Sequence, residues 1–283
     1  MASSDLLGRI RQQYLTLSKS HKKIADYILA NYDKVAFMTA STLGKNVNIS
    51  ESTVVRFAGS IGYEGYPELQ KELQETIKTK LTTVQRFELS KDRTEAQLLT
   101  KVMLNDIENI RLTIDQFDDT LMDQFIGEII KAKKVYILGL RSSSVLANYL
   151  GFYLNFIMPE IHVIHETAQD VYDQLLNLDE DDVMIVLSFP RYSKRTYDCV
   201  DYAIKNGTTI LGITDGLNSP LFEKVKYCLT AKYSMNTFID SFVAPMSLIN
   251  ALIIGISLKK EGVEKNLERL ERIWEDYGVY GTK

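Results

Sequence analysis

Two hydroxyl-rich stretches, each carrying an arginine, hold the residues best suited to chemistry in this chain of 283 residues. Gly139-Leu140-Arg141-Ser142-Ser143-Ser144 places three consecutive hydroxyls beside one guanidinium, and Ser188-Phe189-Pro190-Arg191-Tyr192-Ser193-Lys194-Arg195-Thr196 repeats the theme. Each follows an apolar run and opens a helical pattern. Hydroxyls and backbone N–H groups at a helix start favour a phosphate or another anion, because the helix dipole adds its partial charge to the formal one. The ordinary work of a serine at such a place is to cap the helix, and it is the pairing of two similar loops that points to an anion site. Binding fits better than turnover. The first loop lacks the second glycine of a dinucleotide loop, Gly-x-x-x-x-Gly-Lys is absent, and no Gly-x-Ser-x-Gly elbow occurs. His165 and Glu166 become bases only with a substrate placed against them, so no catalytic residue is assigned.

The elements that must position these loops alternate in period. Val135 to Leu140, Ile161 to Ile164, Val183 to Ser188, Thr209 to Thr214 and Tyr227 to Thr230 are short runs rich in Val, Ile and Tyr, and helical segments separate at least the first four. That alternation predicts crossovers and a parallel sheet covered on both faces, with ligands at the carboxyl ends of the strands where strand order reverses. A long amphipathic helix from about 101 to 132, with a break near Asp118-Asp119, precedes the sheet. Ser241 to Leu258 reads as a buried or interface helix, and an amphipathic helix through Val263, Leu267, Leu270, Ile273 and Trp274 closes the chain.

A second constellation lies in Ser41 to Ile61. Apolar stripes through Ala40, Leu43 and Val47, then Val54, Phe57, Ala58 and Ile61, predict two short helices joined at Val47-Asn48-Ile49-Ser50. Outside the second stripe stand Ser52, Thr53, Arg56 and Ser60, with Ser50 at the N-cap. Short hydroxyls around one guanidinium let a helix enter the major groove, where Arg56 reaches a guanine edge or a phosphate. Ser50, Ser52, Thr53 and Arg56, with Thr42 and Lys45 from the preceding helix and Tyr63 from the turn that follows, make up the expected DNA-contacting set. A capped helix with the stripe Ile24, Ile28 and Tyr32 precedes the pair, so three helices are expected before residue 62. A Gly- and Pro-marked turn and a helix through Leu69, Leu73 and Ile77 follow.

The net charge of −4 argues against a general polyanion binder, yet residues 1 to 80 hold 11 Lys and Arg against 8 Asp and Glu. The basic excess falls with the reading helix, as weak support for it. Cys199 and Cys228 have neither metal nor redox spacing, and a reducing, cytoplasmic setting is expected. His162 and His165 are expected to point to opposite faces of a strand, so no metal site is assigned. No apolar run reaches the roughly 20 residues of a membrane span. The chain therefore divides into an all-α helix-turn-helix domain at 1–80, a linker at 81–105 and a doubly wound parallel α/β domain at 106–283.

Ser50-Glu51-Ser52-Thr53-Val54-Val55-Arg56-Phe57, followed by Ile61-Gly62-Tyr63-Glu64-Gly65-Tyr66-Pro67-Glu68-Leu69, resembles the recognition helix and glycine-aromatic turn of the RpiR-type bacterial transcriptional regulators. The α/β half resembles the flavodoxin-like sugar isomerase (SIS) domain that this family uses as a sensor. The resemblance implies a regulator of carbohydrate metabolism, a homodimer or homotetramer on double-stranded operator DNA, whose affinity a phosphorylated sugar or related acidic derivative alters. It implies no cofactor. It also places the effector site at Arg141, Ser142, Ser143, Ser188, Arg191 and Ser193. The chain departs from the SIS pattern in two places: Arg141 stands in Gly-x-Gly-x-Ser where the second glycine is usual, and Arg191 replaces the glycine of Ser-x-Ser-Gly-x-Thr, where Pro190 also removes a hydroxyl and a backbone donor. Two expectations stand side by side: both arginines supply charge-assisted contacts in place of the lost donors, to a ligand more acidic than an ordinary sugar monophosphate, or either arginine plugs the pocket or pairs with a carboxylate of the protein. A sugar-phosphate isomerase with a helical association domain is the alternative reading.

Overall fold

The structure, a computed structural model, describes residues 6–80, 82–91, 98–166, 170–233 and 239–281. The chain separates into two compact units, Met1–Glu88 and Leu89–Lys283.

The first unit is helical: α1 Leu6–Gln13, α2 Lys19–Val35, α3 Ala40–Val47, α4 Glu51–Ser60 and α5 Tyr66–Lys80, followed by α6 Thr83–Lys91, which runs across the division. Ser18 caps α2 by accepting a hydrogen bond from the His21 N–H, and Thr39 caps α3 by accepting from Thr42. Leu6, Ile10, Ile24, Ile28, Leu43, Phe57, Ile61 and Leu69 are inaccessible to solvent, so the 3.6-residue stripes of five helices meet in one core. Each such side chain contributes about 1.5–3 kcal/mol of burial free energy. Among the described residues four α-helices precede residue 62, one more than expected, because Leu6, Leu7 and Ile10 give the short α1 an apolar face of its own. The segment 81–105, expected as a linker, carries helix in α6 and again from Leu98. Its weak hydrophobic period hides helices whose residues have good intrinsic propensity.

The second unit opens with α7 Leu98–Ile114 and α8 Asp119–Lys131, broken where expected, with Asp118 capping α8 through Thr120 and Leu121. Among the described residues five strands follow, β1 Val135–Leu138, β2 Ile161–Ile164, β3 Val183–Leu187, β4 Thr209–Thr214 and β5 Tyr227–Thr230, interleaved with α9 Ser144–Ile157, α10 Val171–Gln174 and α11 Lys194–Lys205. Then come α12 Val243–Lys259 and α13 Val263–Asp276. All strands pair in parallel in the order β2-β1-β3-β4-β5, with Leu138 opposite Val186. One face packs Ile137, Ile185 and Leu211 against α8, α9 and α12; the other packs Tyr136, Met184 and Val186 against α10 and α11. Strand order reverses between β1 and β3, which defines the crevice at their carboxyl ends.

α12 buries Ala244, Leu248, Leu252 and Ile256, and among the described residues no single helix is long and apolar enough to cross a membrane. No cluster of three or more His, Cys, Asp or Glu among them is placed to hold a metal ion.

Candidate functional site

The joint between α3 and α4 is built from two backbone requirements. Asn48 adopts a left-handed conformation, φ 54°, which asparagine tolerates, and ends α3. Gly44 lies where a Cβ would sit 2.6 Å from the Ile49 carbonyl oxygen, so only glycine lets the two helices approach this closely. Val54, Phe57 and Ala58 are buried beneath α4, while Ser52 and Arg56 are exposed. Ser50 occupies the N-cap position, but its hydroxyl bonds to those of Ser52 and Thr53 at 3.1 and 2.9 Å rather than to a backbone N–H. Arg56 Nη2 donates to Thr53 Oγ1 at 3.1 Å. The result is a short chain of hydroxyls ending on a guanidinium along one outer face. Thr42 and Lys45 on α3 are also exposed. His21 shares a hydrogen bond with Ser60 at 3.2 Å and meets the edge of Phe57; burial, then the charge of Arg56, lowers its pKa below 6.5.

Tyr63 does not join this face. It is 6% exposed, with the Arg9 guanidinium 4.9 Å from its ring centroid, because the turn at Gly62 folds the aromatic inward between Ile61 and Tyr66, both buried too. An aromatic flanked within three residues on each side by other large apolar residues is a core signal, and reading it so would have found this.

At the switch point of the sheet, the two hydroxyl loops leave the carboxyl ends of neighbouring strands. After β1 the chain makes a 3-10 turn over Arg141–Ser143. Gly139 is required there, since a Cβ would meet the Ser143 carbonyl oxygen at 2.6 Å. Arg141 and Arg191 both have left-handed backbones, φ 58° and 70°. These are the two positions where arginine stands in place of glycine, and the conformation is disfavoured for an L-residue by about 1 kcal/mol or more. Both side chains are exposed, whereas Ser143 and Ser188 are buried. Ser143 and Ser193 take the N-cap positions of α9 and α11 without a side-chain capping bond, so helix capping does not account for either hydroxyl.

A hydroxyl network supports the second loop. Ser188 shares a hydrogen bond with Tyr197 at 3.2 Å, Thr214 donates to the Ser188 carbonyl at 2.6 Å, and Tyr192 donates to Asp215 Oδ1 at 2.8 Å. Burial, reinforced by the Asp215 charge, pushes the Tyr192 pKa far above the usual tyrosine value and keeps its proton in place. The first loop faces two carboxylates from elsewhere in the unit. The Arg141 N–H donates to Glu166 Oε2 at 3.2 Å, and the Ser142 hydroxyl reaches Asp240 Oδ2 at 3.5 Å. Glu166 and Asp240 were not part of the expected site, since neither adjoins the loops in sequence.

Comparison with known proteins follows the same division. Residues 4–80 match the family model described as a helix-turn-helix domain of the rpiR family, and residues 128–255 match the SIS domain. An uncharacterized HTH-type transcriptional regulator of Haemophilus influenzae is 30% identical over 235 residues, which cover 80% of each chain. The HTH-type transcriptional regulator HexR of Pseudomonas aeruginosa is 24% identical over 261 residues, 90% of each. Among solved structures, the sugar isomerase domain of an RpiR transcription factor from Sphaerobacter thermophilus superposes with a TM-score of 0.59 at 27% identity, covering 62% of this chain and 99% of that one. The Vibrio vulnificus NanR protein, complexed with ManNAc-6P, has the same fold at a TM-score of 0.59 and 20% identity, over 96% of this chain and 98% of that one.

Proposed function

The chain belongs to the RpiR family of HTH-type transcriptional regulators, and from that premise we propose that it is a cytoplasmic regulator of carbohydrate metabolism whose grip on a double-stranded operator is set by a sugar-phosphate-like effector. Thr42, Lys45, Ser50, Ser52, Thr53 and Arg56 are the DNA contacts, within a reading domain at 1–80. Arg141, Ser142, Ser143, Ser188, Arg191 and Ser193 hold a phosphorylated sugar or related acidic derivative in a domain at 106–283. The observation that carries the effector reading is the pair of left-handed arginines at the ends of β1 and β3. A disfavoured backbone at two matched positions, each with an exposed guanidinium at a topological switch point, is what a retained ligand contact looks like. The NanR complex supports a sugar phosphate as the ligand class.

The working species is a homodimer or homotetramer. Two reading helices must meet half-sites about one helical turn apart, or a multiple of it, so a small rotation driven from the effector crevice breaks simultaneous docking. Thermal unfolding of the full chain across sugar phosphates, sugar acids and inositol derivatives tests the ligand class, since a ligand at 100 times its Kd adds about 2.7 kcal/mol. The stabilising compound is then added to an operator gel shift. A change in operator affinity is expected. No stabilisation by any compound, or a shift that leaves operator binding untouched, contradicts the reading.

A further inference from the structure

The two loops of the crevice differ in the carboxylates that meet them. On the β1 side, the Arg141 backbone N–H is held by Glu166 at 3.2 Å, and the Ser142 hydroxyl faces Asp240 at 3.5 Å, with the Tyr233 hydroxyl also donating to Asp240. On the β3 side, Asp215 accepts from Tyr192 within the hydroxyl network, and Ser193 makes no capping bond at the start of α11. Resting on the reading of this crevice as a sugar-phosphate site, we propose that Glu166 and Asp240 determine which sugar phosphate it accepts, taking hydrogen bonds from ligand hydroxyls and rejecting a second acidic group.

The argument is one of donors and acceptors. An ionised carboxylate only accepts, and so do a fully ionised phosphate and the carboxylate of a sugar acid. An anionic group brought to the β1 side therefore competes with Glu166 for the Arg141 N–H and meets Asp240 as a like charge, while Arg141 offers one positive charge against two negative ones. A sugar hydroxyl, which donates, satisfies the same two carboxylates. The phosphate end of the ligand accordingly takes the β3 side, against Arg191, Ser193 and the first turn of α11, where the helix dipole favours it. The ligand class that satisfies both sides is a polyhydroxylated monophosphate. Bisphosphates and phosphorylated sugar acids are disfavoured.

Matched pairs test this by calorimetric titration of the full chain: glycerol 3-phosphate against 3-phosphoglycerate, and glucose 6-phosphate against 6-phosphogluconate, with inorganic phosphate as the common anion. The polyol member of a pair is expected to bind roughly tenfold more tightly, the scale of one hydrogen bond to a charged group. Glu166→Gln and, independently, Asp240→Asn are expected to shrink that ratio by tightening the acidic member, leaving inorganic phosphate nearly unchanged. An acidic member that binds the natural chain as well as its polyol partner, or a ratio unmoved in both variants, overturns the proposal. Arg191→Ala separates the underlying reading: it is expected to weaken every phosphate, including the inorganic one. If it weakens none, or if no probe binds at all, the crevice is not a phosphate site and the proposal falls with it.

Discussion

The reading face of α4 and the crevice at β1 and β3 both present hydroxyls with arginine, yet they are prepared for their partners in opposite ways. On α4 the bonds run within the face itself, from Ser50 through Thr53 to Arg56, and Phe57 and Val54 hold it from beneath. The close approach that shapes it uses a glycine, Gly44. In the crevice the donors of one loop are already engaged by carboxylates from elsewhere in the fold, and the left-handed positions carry arginine where glycine would relieve the backbone. A long, regular polyanion can be met by a rigid, pre-ordered face. A small ligand that must be told from its relatives is better met by groups that exchange internal partners for the ligand's own.

Replacing Gly44 by valine gives the largest expected effect, because the added side chain collides with backbone at 2.6 Å. A loss of about 3 kcal/mol is expected in the helical unit, with the transition of the α/β unit unmoved in the same calorimetric scan. Equal losses in both transitions would break the distinction between the two regions. In the opposite sense, Arg141→Gly and Arg191→Gly each relieve a left-handed backbone and are expected to raise the stability of the α/β unit by about 1 kcal/mol, while reducing stabilisation by sugar phosphates. Glycine variants that lose stability would show that the arginines brace the loops instead. The smallest effect concerns His21. Its pKa is lowered, so between that value and 6.5 the unfolded chain binds a proton that the folded chain does not. Stability of the helical unit is therefore expected to fall as pH drops below 6.5, and His21→Gln to flatten that dependence in chemical denaturation at pH 5.5 and 7.5.

Much of this was legible along the chain, and the failures have a common cause. Local periodicity places every strand, the break at Asp118 and the α3–α4 pair, because those signals reside in neighbouring residues. Tyr63 is the exception, since its buried neighbours Ile61 and Tyr66 carry a local core signal and only the Arg9 guanidinium over its ring comes from more than fifty positions away in the chain. Glu166 reaches the first loop through the pairing of β1 with β2 and Asp240 from the segment before α12, and Gly44 matters through the carbonyl of Ile49 in the following turn. The arginine-for-glycine exchanges were visible as letters; that both keep a left-handed backbone was not.

The most direct test of the account is operator binding by Arg56→Ala, measured by fluorescence anisotropy on a duplex selected from a random pool by the natural protein. A loss of about 1–3 kcal/mol in affinity, with an unchanged unfolding midpoint, is the expected result. Binding equal to that of the natural protein would contradict the placement of the reading face on α4.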